Sequence, residues 1–197
     1  MEQAEALKIF KEAGAYLDGH FLLTSGRHSN AYVEKFNVLQ HPEHCGKLCA
    51  GIADHFRSAK PDVVVGPAIG GILLAYETAR ALGVRGIFLE REDGMLKLRR
   101  GFEIGPDEKV LIVEDIVTTG SSVFEVLEAL HKEKAEGRIL GVGYLVDRSG
   151  GKADFGVPQY PLMKLDLPNW APEDCPLCKQ GVPLTKRGSR TAGEKKA

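Results

Sequence analysis

Between Val110 and Ser122 the chain reads VLIVEDIVTTGSS: four apolar residues, two consecutive acids, two more apolar residues, then hydroxyls around one glycine. Residue types in this order point to a ligand with two chemically different ends. A turn made of Thr118, Thr119, Gly120, Ser121 and Ser122, leading into a helix, gathers unpaired backbone N–H groups at the positive end of the helix dipole. That combination suits a phosphate. Glycine lets the backbone approach closely, and the hydroxyls add donors. Glu114 and Asp115 cannot face the same phosphate without repulsion. They need hydroxyl donors or a cation, such as a ribose diol or Mg2+. A phosphate cradle beside diol acceptors describes a pocket for a ribose 5-phosphate. Helix capping by Thr119 or Ser121 would account for the hydroxyls, but not for two acids directly after four strand residues. The stretch is neither a Walker loop, lacking Gly-Lys-Ser, nor a Gly-x-Gly-x-x-Gly fingerprint.

Such a turn works only if a scaffold holds it, and the sequence around it supplies one. After Pro61 a short apolar strand, DVVVG, is followed by PAIGG and the helix ILLAYETARAL. VRGIFLE and KVLIVED read as strands, residues 121 to about 135 as a helix with Val123, Val126, Leu127 and Leu130 on one stripe, and RILGVGYLVD as a further strand. Continuous apolar strands alternating with amphipathic helices predict an α/β fold with a mostly parallel central sheet covered on both faces. Ligands sit beyond the carboxyl ends of such strands, so the loops at 66–71, at 114–121 and after Val146 should converge.

Upstream, residues 2–16 read as a helix with Ala6, Ile9, Phe10 and Ala13 at helical spacing. FLLTSGRHSNAYVEKFNVL reads as strands around a polar turn. A helix from Pro42 to about Ser58 carries Cys45, Leu48, Cys49, Ile52 and Phe56 on one stripe, so both cysteines are expected as core residues. The reading divides the chain into an N-terminal helix and hood (1–40), a core (41–167) and a C-terminal tail (168–197) whose last residues, TAGEKKA, are expected to be disordered. The connection from Glu90 to Lys109, REDGMLKLRRGFEIGPDE between them, is long for a compact domain and is expected to be functional or mobile.

A net charge of −1 gives no global field for nucleic acid or an anionic membrane, and no apolar stretch reaches the length of a membrane helix. Two cysteine pairs in 197 residues are too few for a disulfide scaffold, and the charged N-terminus lacks the apolar centre of a signal peptide. The expectation is a cytoplasmic globular protein with no nucleic-acid or membrane partner.

VLIVEDIVTTGSS resembles the phosphoribosyl-diphosphate motif of the type I phosphoribosyltransferases. LLTSGRHSNAYVEKF, GPAIGGILLA and LVDRSGG are similar to segments of the orotate-using branch of that family, and EREDGMLKLRRGF and CPLCKQGVPLTKRGSR to a subset of it. The likeness runs from about residue 5 to 190. It implies a type I phosphoribosyltransferase-like fold with a small N-terminal hood, and transfer of phosphoribose from 5-phosphoribosyl 1-diphosphate to orotate. It also implies a homodimer, and Mg2+ bound mainly through the substrate rather than by protein ligands.

Carried over by position, the resemblance puts Glu114 and Asp115 on the ribose hydroxyls and the segment Ile116, Val117, Thr118, Thr119, Gly120, Ser121 and Ser122 around the 5-phosphate. Ala68, Ile69 and Gly70 fall in the pyrophosphate loop, and Ser25, Thr118 and Arg148 at the orotate. Asp115, Arg91, Arg99 and Arg100 form the expected catalytic set. Relatives often carry an Arg-Lys pair, a further lysine and a histidine in the loop where this chain has Arg91-Glu92-Asp93 and then Lys97, Arg99 and Arg100. The usual lysine of the pyrophosphate loop is replaced by Ile69-Gly70-Gly71, and Thr24 stands where many relatives have lysine. Pyrophosphate charge must therefore be met by Arg91, the 97–100 cations and Mg2+. Lys35 has two readings, a ligand for an anionic substrate or a surface lysine.

Two rivals remain: a purine phosphoribosyltransferase with another hood, and a non-catalytic regulator that senses the diphosphate. The histidines form no arrangement with a nucleophile. Cys175 and Cys178, in CPLC, have half of a zinc-ribbon spacing. With no second pair evident, a complete site within one chain is not expected, although two tails meeting in a dimer would supply four thiolates.

Overall fold

Strand residues that are apolar at every position must be covered on both sides, and the core of the protein meets that demand. A computed structural model describes residues 1–23, 25–132 and 138–186. Strands β3 (Val63–Pro67), β4 (Arg85–Glu92), β5 (Met95–Leu98), β6 (Lys109–Val117), β7 (Arg138–Asp147) and β8 (Gln159–Lys164) form one sheet in the order β5-β4-β3-β6-β7-β8. All its pairings are parallel except β4 with β5. Alternation along the strands separates two cores. Val64, Leu111, Val113 and Leu145 pack with Leu48 and Ile52 of α3 (Pro42–Phe56) and Leu74 of α4 (Gly70–Leu82). Val63, Val65, Val110 and Ile112 pack with Val123, Val126 and Leu130 of α5 (Ser121–Lys132). Cys45 and Cys49 are buried in the first core, as their place on the α3 stripe requires.

The N-terminal helix α1 (Gln3–Glu12) buries Ala6, Ile9 and Phe10. Next comes an antiparallel hairpin of β1 (Tyr16–Leu22) and β2 (His28–Val33), then a short helix α2 (Lys35–Leu39) within a segment whose pattern predicts only strands. The C-terminal stretch, expected as an appendage, is built into this hood. β9 (Asn169–Trp170) pairs with β2, and β10 (Thr185–Lys186) pairs in parallel with β1, on either side of a one-turn helix α6 (Pro176–Lys179). The second sheet therefore runs β10-β1-β2-β9, drawn from both ends of the chain. Arg27 ties the two parts further, donating to the side-chain and backbone oxygens of Asn169.

The 90–109 connection differs from expectation in its first half, which is a β4–β5 hairpin. Asp93 and Gly94 both have positive φ (52° and 80°), the conformation of a tight two-residue turn. An Asp-Gly pair between strand-like runs is the local signal for this. Thr24, residues 133–135 of the predicted helix end, and TAGEKKA lie outside the described residues.

Candidate active site

The three predicted loops meet at the carboxyl edge of the large sheet. β6 runs through the acid pair as far as Val117, so Glu114 and Asp115 sit within the strand, 5% and 4% exposed. Each folds back on the backbone: Glu114 Oε1 accepts from the Asp115 N–H at 2.8 Å, and Asp115 Oδ1 from the Ile116 N–H at 2.7 Å. Burial, reinforced by the neighbouring charge of Asp115, pushes the Glu114 carboxyl up to about 8. Asp115 Oδ2 faces Lys35 Nζ at 2.6 Å, a pairing that neither reading of that lysine included. Lys35 is a hood residue whose ammonium reaches the sheet edge.

Past Val117 the chain turns through Thr118 and Thr119 to Gly120, which adopts a φ of +80°, and enters α5 at Ser121. A Cβ at Gly120 would lie 2.7 Å from the ring of Phe155, so glycine is required there for space as well as conformation. Thr119 Oγ1 lies 3.3 Å from Ser121 Oγ and only 3.4 Å from its N–H, a cap too long to consume the donors of the helix start. Glu114, Ile116, Val117, Thr118, Gly120, Ser121, Ser122 and Val123 line an open hollow. One hollow thus holds a buried acid next to a helix N-terminus, the Glu114 carboxyl lying within hydrogen-bonding reach of Ser122.

The 66–71 loop closes the second side. A Cβ on Gly70 would come within 2.0 Å of Asp115 Oδ2, and one on Gly66 within 2.2 Å of the Gly71 carbonyl. These glycines let the loop lie directly on the acid. Ala68 donates its N–H to Leu89 O at 2.7 Å, the Ala68–Ile69 peptide is cis, and Ile69 projects outward. The third loop is fixed by Arg148, whose N–H donates to Val117 O at 2.8 Å. Asp147 anchors it, its buried carboxylate accepting from the Ser149 N–H and hydroxyl. The Arg148 guanidinium is half-buried near Tyr32, and burial pulls its pKa down. No carboxylate among the described residues pairs with it. Ser25 is exposed at the tip of the hood turn.

The hairpin cations are occupied. Arg91 bonds Glu125 and the Gly94 carbonyl, Lys97 bonds Glu92 at 2.8 Å, Arg99 sits between Glu90 and Glu92, and Arg100 bonds Glu90. These pairs are solvent-exposed and individually weak. Asp147 was missed by sequence reasoning because its role is to hold a neighbour. Its place at the end of an apolar strand before Arg-Ser-Gly is the signal that marks it.

The surroundings of Cys175 and Cys178 differ from the sequence reading, which found no second ligand pair for them: His20 and His28 of the hood hairpin stand beside both, with donor atoms of all four within 4.8 Å of one another. Pairing between residues some 150 positions apart brought them together, which no spacing rule reports.

The profile of the phosphoribosyl transferase domain matches residues 36–155. The chain is 54% identical over 190 residues to the orotate phosphoribosyltransferase of Pelotomaculum thermopropionicum, covering 96% of this chain and 99% of that protein. It is 52% identical over 193 residues to that of Heliobacterium modesticaldum, covering 97% and 100%. The crystal structure of orotate phosphoribosyltransferase from Aeropyrum pernix superposes with a TM-score of 0.65 at 26% identity, over 80% of this chain and 92% of that one. With the acid pair, the helix-entry turn and the glycine loop meeting at one sheet edge, and with near-complete coverage of these relatives, the chain belongs to the orotate phosphoribosyltransferase family of the phosphoribosyl transferases.

Proposed function

We propose that the protein transfers phosphoribose from 5-phosphoribosyl 1-diphosphate to N1 of orotate, yielding orotidine 5'-monophosphate and pyrophosphate in de novo pyrimidine (UMP) biosynthesis. The observation that carries this reading is the hollow lined by both Glu114 and the N-terminus of α5, in a chain about half identical to enzymes of that name. A ribose 5-phosphate has the matching polarity, diol toward the acids and phosphate toward the helix.

The C1–oxygen bond to pyrophosphate breaks and the N1–C1 bond forms, with the N1 proton of orotate lost to the leaving pyrophosphate or to solvent, and positive charge builds on the ribose ring between bond breaking and bond formation. No protein nucleophile is needed. In this mechanism the first-turn N–H groups of α5 and the Thr118–Ser122 hydroxyls hold the 5-phosphate, while Glu114 and Asp115 accept from the ribose hydroxyls. Arg148 presents a guanidinium fork to orotate, with Thr118 and Ser25 completing the acceptor site. Arg91 leaves Glu125 of α5, and Arg99 and Arg100 leave their hairpin acids, to meet the departing pyrophosphate, and Ala68, Ile69 and Gly70 offer it backbone. Positioning and exclusion of water do most of the work. The two carboxylates fit Mg2+ as assisting oxygens and not as a closed cage, since each already accepts a backbone N–H. Carried on the diphosphate, Mg2+ would neutralise charge on the leaving group.

The same reading takes the protein as a cytoplasmic homodimer. Ile69, Leu73 and Tyr76 follow helical spacing at the start of α4 and are 72%, 42% and 66% exposed, an apolar row suited to a second copy.

The deciding assay follows orotate absorbance with the diphosphate and Mg2+, against adenine, guanine and xanthine as acceptors. Consumption of orotate alone is the expected result. No loss of orotate at high enzyme concentration would overturn the proposal.

A further inference from the structure

Four side chains outside the active site converge with the chemistry of a metal centre. His20 lies in β1, His28 opens β2, and Cys175 and Cys178 flank the start of α6. His20 Nε2 is 3.0 Å from His28 Nδ1 and 3.4 and 3.7 Å from the sulfurs of Cys175 and Cys178, while Cys178 Sγ is 3.2 Å from His28 Nδ1. A tetrahedral zinc ion with ordinary Zn–N and Zn–S bonds separates its ligands by about 3.3 Å for two nitrogens and about 3.5 Å for nitrogen and sulfur. The observed spacings scatter around those edges. His20, His28 and Cys175 are buried.

The surroundings prepare the ligands. His20 Nδ1 is 2.8 Å from the Val182 carbonyl, which can only accept, so the proton resides on Nδ1 and the Nε2 lone pair turns toward the cluster. Two thiolates and two neutral imidazoles around a divalent ion give a buried site of zero net charge. Two nitrogens and two sulfurs in a tetrahedron select zinc over the oxygen-seeking Mg2+ and Ca2+.

We propose that His20 Nε2, His28 Nδ1, Cys175 Sγ and Cys178 Sγ bind one structural zinc ion that clasps the C-terminal stretch to the hood hairpin. Binding exchanges two thiol protons for the ion, with no change in oxidation state. All four positions are filled by protein, so the site is a closed, structural one. Its location matters because the other ties between this stretch and the hood include two two-residue strand pairings, the Arg27–Asn169 bonds and the Ser29 hydroxyl donating to the Pro168 carbonyl.

The test uses the full chain purified under reducing conditions from zinc-supplemented medium. Elemental analysis should find about one zinc per chain. Protein stripped with a chelator and reloaded with Co2+ should show intense tetrahedral d–d bands with a thiolate-to-cobalt charge-transfer band. Cys178→Ser, at the exposed ligand, should weaken zinc affinity at least tenfold, and His28→Gln should do the same, each with an unchanged far-ultraviolet dichroism spectrum. Zinc removal from the parent should speed proteolytic release of the C-terminal stretch, and reloading should reverse it. Less than a tenth of an equivalent of zinc, with no cobalt–thiolate signature in fully reduced protein, would overturn the proposal. So would zinc retained undiminished by a Cys175→Ser/Cys178→Ser variant, or a Cys175–Cys178 disulfide as the resting state of protein kept reduced. None of these readouts depends on which acceptor the enzyme uses.

Discussion

Lys35 Nζ stands 2.6 Å from Asp115 Oδ2, so a residue of the hood neutralises an acid of the donor strand. Asp115 is nearly inaccessible, while Lys35 keeps about a third of its side chain in solvent. A buried carboxylate deprived of its partner is costly, and the ribose diol would have to compete with water for it. Lys35→Ala should raise the KM for the diphosphate about tenfold, equivalent to about 1.4 kcal/mol, and leave the orotate KM within a factor of two. Steady-state kinetics with each substrate varied in turn checks it. Equal effects on both substrates would show that Lys35 holds the hood as a whole.

Gly70 lies against that same carboxylate. Gly70→Ala places a methyl where Asp115 Oδ2 now sits, at 2.0 Å, and something must move. The expected outcome is a fall in turnover of 100-fold or more, since small misplacements of a positioned group are amplified in rate. The midpoint of thermal unfolding should drop by only a few degrees. Gly66→Ala meets backbone instead of a side chain and should reduce stability more than Gly70→Ala does.

Glu114 makes stability depend on pH. Its folded-state pKa of about 8 lies above the ordinary 4.5, so between those values the folded protein holds a proton that the unfolded chain has released. Stability should therefore be highest near and below pH 4.5 as far as this group is concerned, and fall as pH rises to 8, with a slope of up to about 1.4 kcal/mol per pH unit. Urea unfolding of the parent and of Glu114→Gln between pH 5 and 8.5 tests this. The variant should match the parent at pH 5 and exceed it at pH 8.5.

The hairpin cations are held by acids that can be removed separately. Glu90→Gln frees Arg100 and leaves Arg99 with Glu92 alone, and should lower the diphosphate KM severalfold. Alanine at Arg91, Arg99 or Arg100 should raise it, with little change in the urea midpoint of unfolding because these pairs are exposed. If each alanine left turnover and diphosphate affinity unchanged, these arginines would be surface charges only.

Arg148 should act on the acceptor alone. Arg148→Lys keeps the charge but loses the planar fork, and should raise the orotate KM at least tenfold with little change for the diphosphate. For the exposed apolar row on α4, Tyr76→Lys should shift sedimentation from dimer toward monomer.

What the sequence disclosed follows contact range. Val110–Val113 and Val63–Val65 announce buried strands because every position is apolar, and the stripe through Cys45, Leu48 and Cys49 announces a helix face. The Glu114-Asp115 and Thr118–Ser122 halves of the site lie within nine residues, so strand and helix geometry carry them to one cavity. Lys35 and Asp115 are 80 positions apart, and nothing local to either predicts that they touch. The same holds for His20 and Cys175, whose meeting depends on the C-terminal strands returning to the hairpin. The β4–β5 hairpin was legible in Asp93-Gly94 but hidden by the charge density around it.

The pairing of β10 with β1 has a consequence for how the protein is made. The ribosome finishes the acid strand and the phosphate turn well before it reaches residue 169, so the donor half can fold during translation. The hood cannot, because its outer strands are translated after the whole of the core. A nascent chain would thus acquire its acid strand and helix-entry turn first, and its completed hood only once residues 169–186 have emerged. During that interval the edges of β1 and β2 stand open to any other extended chain nearby.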